Sequence, residues 1–160
     1  MEHFWPPGVV TEASALPEDL QVILRAGWLV GPAGALLLKN LYGPGWNSVW
    51  PASEVAQRER EINDVYIPSY DLPVDRAEFL SRMVQRAWSF MHHAFAAACK
   101  FESSGTLTAV ISVGIGEDFR LHGTTVQFFT RRGNYPDYYS DLERFREEAM
   151  AVVERSDLLL

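Results

Sequence analysis

The chain has 160 residues, 48% of them hydrophobic and 22% charged, which suits one compact domain over 1–160 and excludes intrinsic disorder. Its 14 basic and 21 acidic residues leave a net charge of −7, a field that repels phosphate and argues against nucleic-acid and anionic-lipid partners. No run of about 18 apolar residues is present to cross a membrane, no leader-like segment is visible, and a single Cys99 precludes an internal disulfide. The expected setting is the cytoplasm.

The first element expected is a helix over 17–26. Pro17 suits its first turn, Leu20, Ile23 and Leu24 share one face, and Gly27 fits the position past its end. Residues 28–30 and 35–42 read as strands joined through Gly31-Pro32-Ala33-Gly34, a hairpin. Residues 62–67 read as a further strand. The clearest element starts at Asp75, with Pro73 just before it and Glu78 three residues on, as in a capping box. From there Leu80, Val84, Ala87, Met91, Ala94, Phe95 and Ala98 recur at helical spacing, predicting a helix to about Lys100.

Beyond it, 106–113 alternates, with Leu107, Ala109, Ile111 and Val113 on one face. Residues 119–122 and 125–130 are expected to continue as a meander. A closing helix is expected from Ser140-Asp141-Leu142-Glu143, a second capping box, with Leu142, Phe145, Ala149, Val152 and Val153 as its stripe. Strands cluster instead of alternating with helices. The expected class is α+β: a mostly antiparallel sheet packed against a long central helix and a C-terminal helix.

Catalytic and cofactor motifs are missing from this sequence. Gly114-Ile115-Gly116 resembles the start of a dinucleotide loop, but Phe119 stands where the third glycine belongs. Neither a Gly-Lys-Ser/Thr tripeptide nor a Gly-x-Ser-x-Gly elbow occurs, and no cofactor is expected. His92 and His93 are adjacent on one helix, so their side chains diverge by about 100° and do not pair on a metal. Cys99 falls near the negative end of the helix, which does not activate a thiol. Glu61, Asp64, Asp71 and Asp75 gather around one passage, yet lack calcium-loop spacing; no metal is expected.

Two loops carry recognition chemistry instead. Residues 130–139 combine the forked cations Arg131 and Arg132 with Tyr135, Tyr138 and Tyr139, side chains that anchor protein interfaces. Their bland reading pairs the arginines with Asp137 and Asp141 and packs the rings on the sheet. The loop 41–51 places Trp46 and Trp50 among glycines and prolines, a second candidate anchor. The expectation is therefore a noncatalytic protein-binding module, such as an immunity or antitoxin-type inhibitor or an adaptor, whose acidic surface suits a basic protein. The competing expectation is a small-molecule or nucleotide site in which Arg120, Arg131 and Arg132 hold an anion, with Asp64 or His92 as acid or base. Convergence of those arginines and a carboxylate in a deep concave pocket favours the second; the aromatics on a flat exposed patch favour the first.

Overall fold

The computed structural model describes residues 9–43, 49–133, 142, 147–158 and 160. Helix α1 (Glu18–Ala26) begins after Pro17, with Glu18 and Asp19 at its positive end, and buries Leu20 and Ile23. Gly27 ends it at φ +71°, a left-handed conformation that other residues resist. The chain then forms the expected hairpin, β1 (Trp28–Val30) and β2 (Leu36–Leu38), paired antiparallel from Trp28↔Leu38 to Val30↔Leu36. At Gly31 a Cβ would lie 2.5 Å from the tip of the Leu37 side chain, so any larger residue there would make that side chain shift. The second strand stops at Leu38, short of the expected Tyr42.

A helix that the sequence reading did not anticipate follows, α2 (Val55–Ile62), with Val55, Ala56, Glu59 and Ile62 buried. It leads through Asn63 into β3 (Asp64–Tyr66), the core of the strand expected over 62–67. The long helix α3 (Arg76–Ala98) starts where the capping residues place it: the Asp75 side chain accepts the Glu78 N–H at 3.1 Å. Glu78 itself is taken by Arg82 at 2.6 Å.

Strands β4 (Leu107–Gly114) and β5 (Thr124–Thr130) pair directly, from Leu107↔Thr130 to Val113↔Thr124. That register leaves no ladder for a strand between them. Residues 119–122, expected as a strand, form instead the single helical turn α4 (Phe119–His122), with the His122 N–H donating to the Asp118 carbonyl at 2.9 Å. The C-terminal expectation also changes. Residues 148–154 are the strand β6 (Glu148–Glu154), not the end of a helix. Ala149 and Val153 satisfy both periods, and what decides is the free edge of β4, which β6 fills from Thr108↔Glu154 to Gly114↔Glu148. Residues 140–141 and 143–146, the first half of the expected helix, lie outside the described residues.

The result is α+β, with a four-stranded antiparallel sheet in the order β3-β5-β4-β6 and a separate two-stranded hairpin. Helix α3 covers one face, burying Met91 and Phe95 among Leu107, Ala109, Ile111, Val126 and Phe128. Phe128 is the hub, edge-on to Trp28, Phe90 and Phe95 at 5.3, 6.2 and 6.0 Å. Against the opposite face, α2 sets Ala56 on Val110 and Phe129, which is why β4 is buried on both sides.

Candidate interaction surface

The arginines of the 130–139 loop are engaged by carboxylates. Arg131 meets Glu154 at 2.9 Å on the neighbouring end of β6, and its backbone N–H donates to the Thr106 carbonyl. Arg132 donates from Nε to Thr130 Oγ1 at 3.2 Å and stands 4.0 Å from Glu59. Those are different partners from Asp137 and Asp141, which lie outside the described residues together with Tyr135, Tyr138, Tyr139 and Trp46. Trp50 is a core side chain. It packs with Ala35, Leu37, Val55 and Ile62 and stands edge-on to Tyr42 at 6.4 Å.

The residues of the competing anion site do not converge. Arg120 sits on α4 just before β5, whereas Arg131 and Arg132 follow its far end; six strand steps separate those ends by about 20 Å. Asp64 is exposed on β3. His92 lies on α3 with its Nδ1 buried, and burial, then the neighbouring His93, lowers its pKa. His93 is used elsewhere, its Nε2 2.7 Å from the Thr11 carbonyl. Two of the clustered carboxylates, Asp71 and Asp75, likewise have structural work. Arg86 grips Asp71 with two bonds of 2.9 and 2.8 Å, a contact that lowers the Asp71 pKa, and Asp75 caps α3. Among the described residues no group of three or more His, Cys, Asp or Glu side chains could hold a metal ion.

Exposed apolar side chains gather at the opposite end of the sheet. Tyr66 ends β3 at 58% exposure, Tyr70 follows in the loop at 77%, and Leu121 stands at 87% on α4. The sequence explains why Leu121 faces water. Phe119 is the anchor of this turn, edge-on to Phe79 at 5.3 Å and under the Arg76 guanidinium at 5.8 Å. Two residues along a helical turn rotate by about 200°, so fixing Phe119 inward turns Leu121 out. Arg76 also donates to the Ile115 carbonyl at 2.6 Å, which ties α3 to the connection that carries α4.

Between the loop and the turn lies an open cleft of 480 Å³, walled by Tyr70, Phe79, Phe119 and Leu121, with Ser69, Glu117, Asp118 and Arg120 as its polar lining. Tyr66 closes against Gly123, where a Cβ would come 3.3 Å from its ring, and Gly123 has φ +80°. Charged side chains of both signs stand at this end: Glu117, Asp118 and Arg120 line the cleft, Glu147 lies near Gly116, and Glu148 is beside His122. Glu148 is fixed by the Ser112 hydroxyl at 2.8 Å and lies 3.6 Å from His122 Nε2. The arrangement is an exposed apolar surface with charged side chains of both signs in its lining. Sequence reasoning missed it, although the bracket of Pro68 and Pro73 around Tyr70 marks that ring as a loop side chain.

No family model, no curated protein and no solved structure matches this chain.

Proposed function

We propose that this protein is a noncatalytic, cytoplasmic binding module for another protein, an inhibitor of the immunity or antitoxin kind or an adaptor subunit, and that it engages a basic partner through Tyr66, Tyr70 and Leu121. The observation that carries the reading is the outward Leu121, held beside two exposed tyrosines by an anchored Phe119. Apolar side chains scattered singly over a surface are ordinary; Tyr70 and Leu121 around one cleft, with Tyr66 packed on the nearby Gly123, fit a partner site. Burying Leu121 alone against a partner would contribute about 1.5–3 kcal/mol. Tyrosine adds large contact area with only two rotatable side-chain bonds, so little entropy is lost on docking. The net charge of −7 favours a basic surface and raises its encounter rate.

The test is affinity capture from the native host with two baits, wild type and Leu121→Glu, followed by quantitative mass spectrometry. A basic protein enriched on wild type and depleted on Leu121→Glu is the expected result. Equal recovery on both baits would reject this surface.

A further inference from the structure

Independently of the docking surface, the four-stranded sheet ends on an unprotected edge. β6 is an outer strand, and its ladder with β4 runs without a bulge from Thr108↔Glu154 to Gly114↔Glu148. The direction of each backbone group on it follows from its neighbours. The Ile115 N–H donates to the Glu147 carbonyl at 3.0 Å, so Glu147 faces β4. Gly114, one residue earlier, donates to the Gly123 carbonyl on the other side, as the alternation of an antiparallel ladder requires. Ala149, Ala151 and Val153 therefore bond inward to β4, and Glu148, Met150, Val152 and Glu154 point their N–H and C=O groups outward. The Glu154 N–H is taken by the Asp157 carboxylate at 2.8 Å. No group among the described residues bonds to the outward backbone of Met150 or Val152.

We propose that two copies of this chain pair antiparallel through β6, about a two-fold axis at Ala151, and join their four-stranded sheets into one continuous sheet. The strand lacks the devices by which sheet edges avoid pairing: it holds no proline, no lysine and no bulge, and its charges stand only at its ends. Its outward groups are also self-complementary. With Ala151 opposite itself, Met150 faces Val152 of the second copy; both point outward, so the pair exchanges both backbone bonds, and the two-fold axis repeats the set. The side chains agree, because opposite residues of an antiparallel pair share a face. Met150 meets Val152 on the α2 face, beside Val110 and Phe129, while Ala149 meets Val153 on the α3 face. Moving the axis to Met150 or to Val152 would set Glu148 against Val152 or Glu154 against Met150, a carboxylate against an apolar side chain. Centred on Ala151, like charges meet only at the ends, Glu148 against Glu154. Each is already engaged within its own chain, Glu148 by the Ser112 hydroxyl at 2.8 Å and Glu154 by Arg131 at 2.9 Å.

Pairing also covers apolar surface that one copy leaves half-buried, at Ala149, Met150, Ala151 and Val152. The other outer strand offers no comparable edge, since β3 spans only Asp64–Tyr66. A ladder as short as Glu148–Glu154 makes a contact smaller than a standard interface, so the dimer is expected to be reversible and to form with rising concentration.

The experiment is small-angle X-ray scattering on the full chain, reading the mass from the forward intensity in a concentration series up to about 1 mM. The mass is expected to rise toward twice the monomer value, in wild type and in Leu121→Glu alike. Val152→Pro removes an outward N–H that β4 does not use, so the fold should persist while association weakens at least about tenfold. Val152→Lys places a charge on the edge with the same expected effect, and keeps the test decisive if the proline variant does not fold. The register is read by disulfide trapping in a Cys99→Ala background. Ala151→Cys should link to itself, because opposed residues of a non-hydrogen-bonded pair have Cα atoms about 4.5 Å apart, within disulfide reach. Met150→Cys should not, since its own copy lies on the diagonal, about 7–8 Å away. A mass that stays at the monomer value throughout, a dimer that survives in folded Val152→Pro or Val152→Lys, or linking of Ala151→Cys no more readily than Met150→Cys would each overturn the proposal.

Discussion

Truncating Asn63 to alanine tests how the two sheets are held together. The amide accepts from the Leu38 N–H and donates to the Leu36 carbonyl at 2.8 and 2.9 Å, and a longer bond of 3.3 Å reaches the Phe128 carbonyl. All of these residues are fully buried, so water cannot replace the lost partner without opening the seam. An orphaned buried backbone group costs about 1–3 kcal/mol. Two short bonds and one weak one therefore place the loss for Asn63→Ala at about 3–4 kcal/mol, a large share of an ordinary domain's stability. The neighbouring Asp64 is exposed, and Asp64→Ala should stay within about 0.5 kcal/mol. Urea titrations followed by far-ultraviolet circular dichroism measure both, with the slopes compared to confirm that the same surface unfolds. A loss under about 1 kcal/mol for Asn63→Ala would refute the account of the seam.

Met91→Ala and Phe95→Ala should each destabilise by about 2–5 kcal/mol in the same assay, since both side chains are buried beneath the sheet. Arg131→Ala should cost no more than about 1 kcal/mol, because its pairing with Glu154 is half exposed. Burial lowers the His92 pKa from 6.5, so folding excludes a proton that the unfolded chain takes up, and stability should fall as pH drops below 6.5. His92→Gln should reduce that acid-side slope, and an unchanged slope in thermal melts would contradict it. A chelator should leave the melting temperature unchanged; a drop of several degrees would mean that a structural metal is present.

Much of the fold was legible because periodicity reports burial directly. The stripe from Leu80 to Ala98 and the alternation from Leu107 to Val113 each have one solution, and both elements form where expected. Helix α2 was hidden by its composition. Val55-Ala56-Gln57-Arg58-Glu59-Arg60-Glu61-Ile62 reads as a charged run, and its stripe becomes visible only when Glu59 is counted as buried, against the general behaviour of carboxylates. The strand β6 was misread because Ala149 and Val153 suit a helix face and a strand face alike, and only the open edge of β4 distinguishes them. The 119–122 turn was misread for a related reason: Phe-Arg-Leu-His alternates, and the register that excludes a strand there belongs to its neighbours.

The surface at Tyr66, Tyr70 and Leu121 was illegible for a different cause. Val65-Tyr66-Ile67 has the pattern of any half-buried strand, and the outward turn of Leu121 follows from where Phe79 and Arg76 hold Phe119, forty residues away in sequence. Trp50 illustrates the converse. Its loop reads as a candidate anchor while its place before Pro51 also suits the cap of a core edge, and α2 and the hairpin supply that core.

The most direct test of the docking surface is titration calorimetry of the captured basic protein against wild type, the Tyr70→Ala/Leu121→Ala double variant and Arg131→Ala. The account predicts binding at least about tenfold weaker for the double variant, an interface loss of about 1.4 kcal/mol or more, and unchanged binding for Arg131→Ala. All three should melt within a few degrees of one another, since none of these side chains is part of the core. Equal affinity for wild type and the double variant, with both folded, would contradict it.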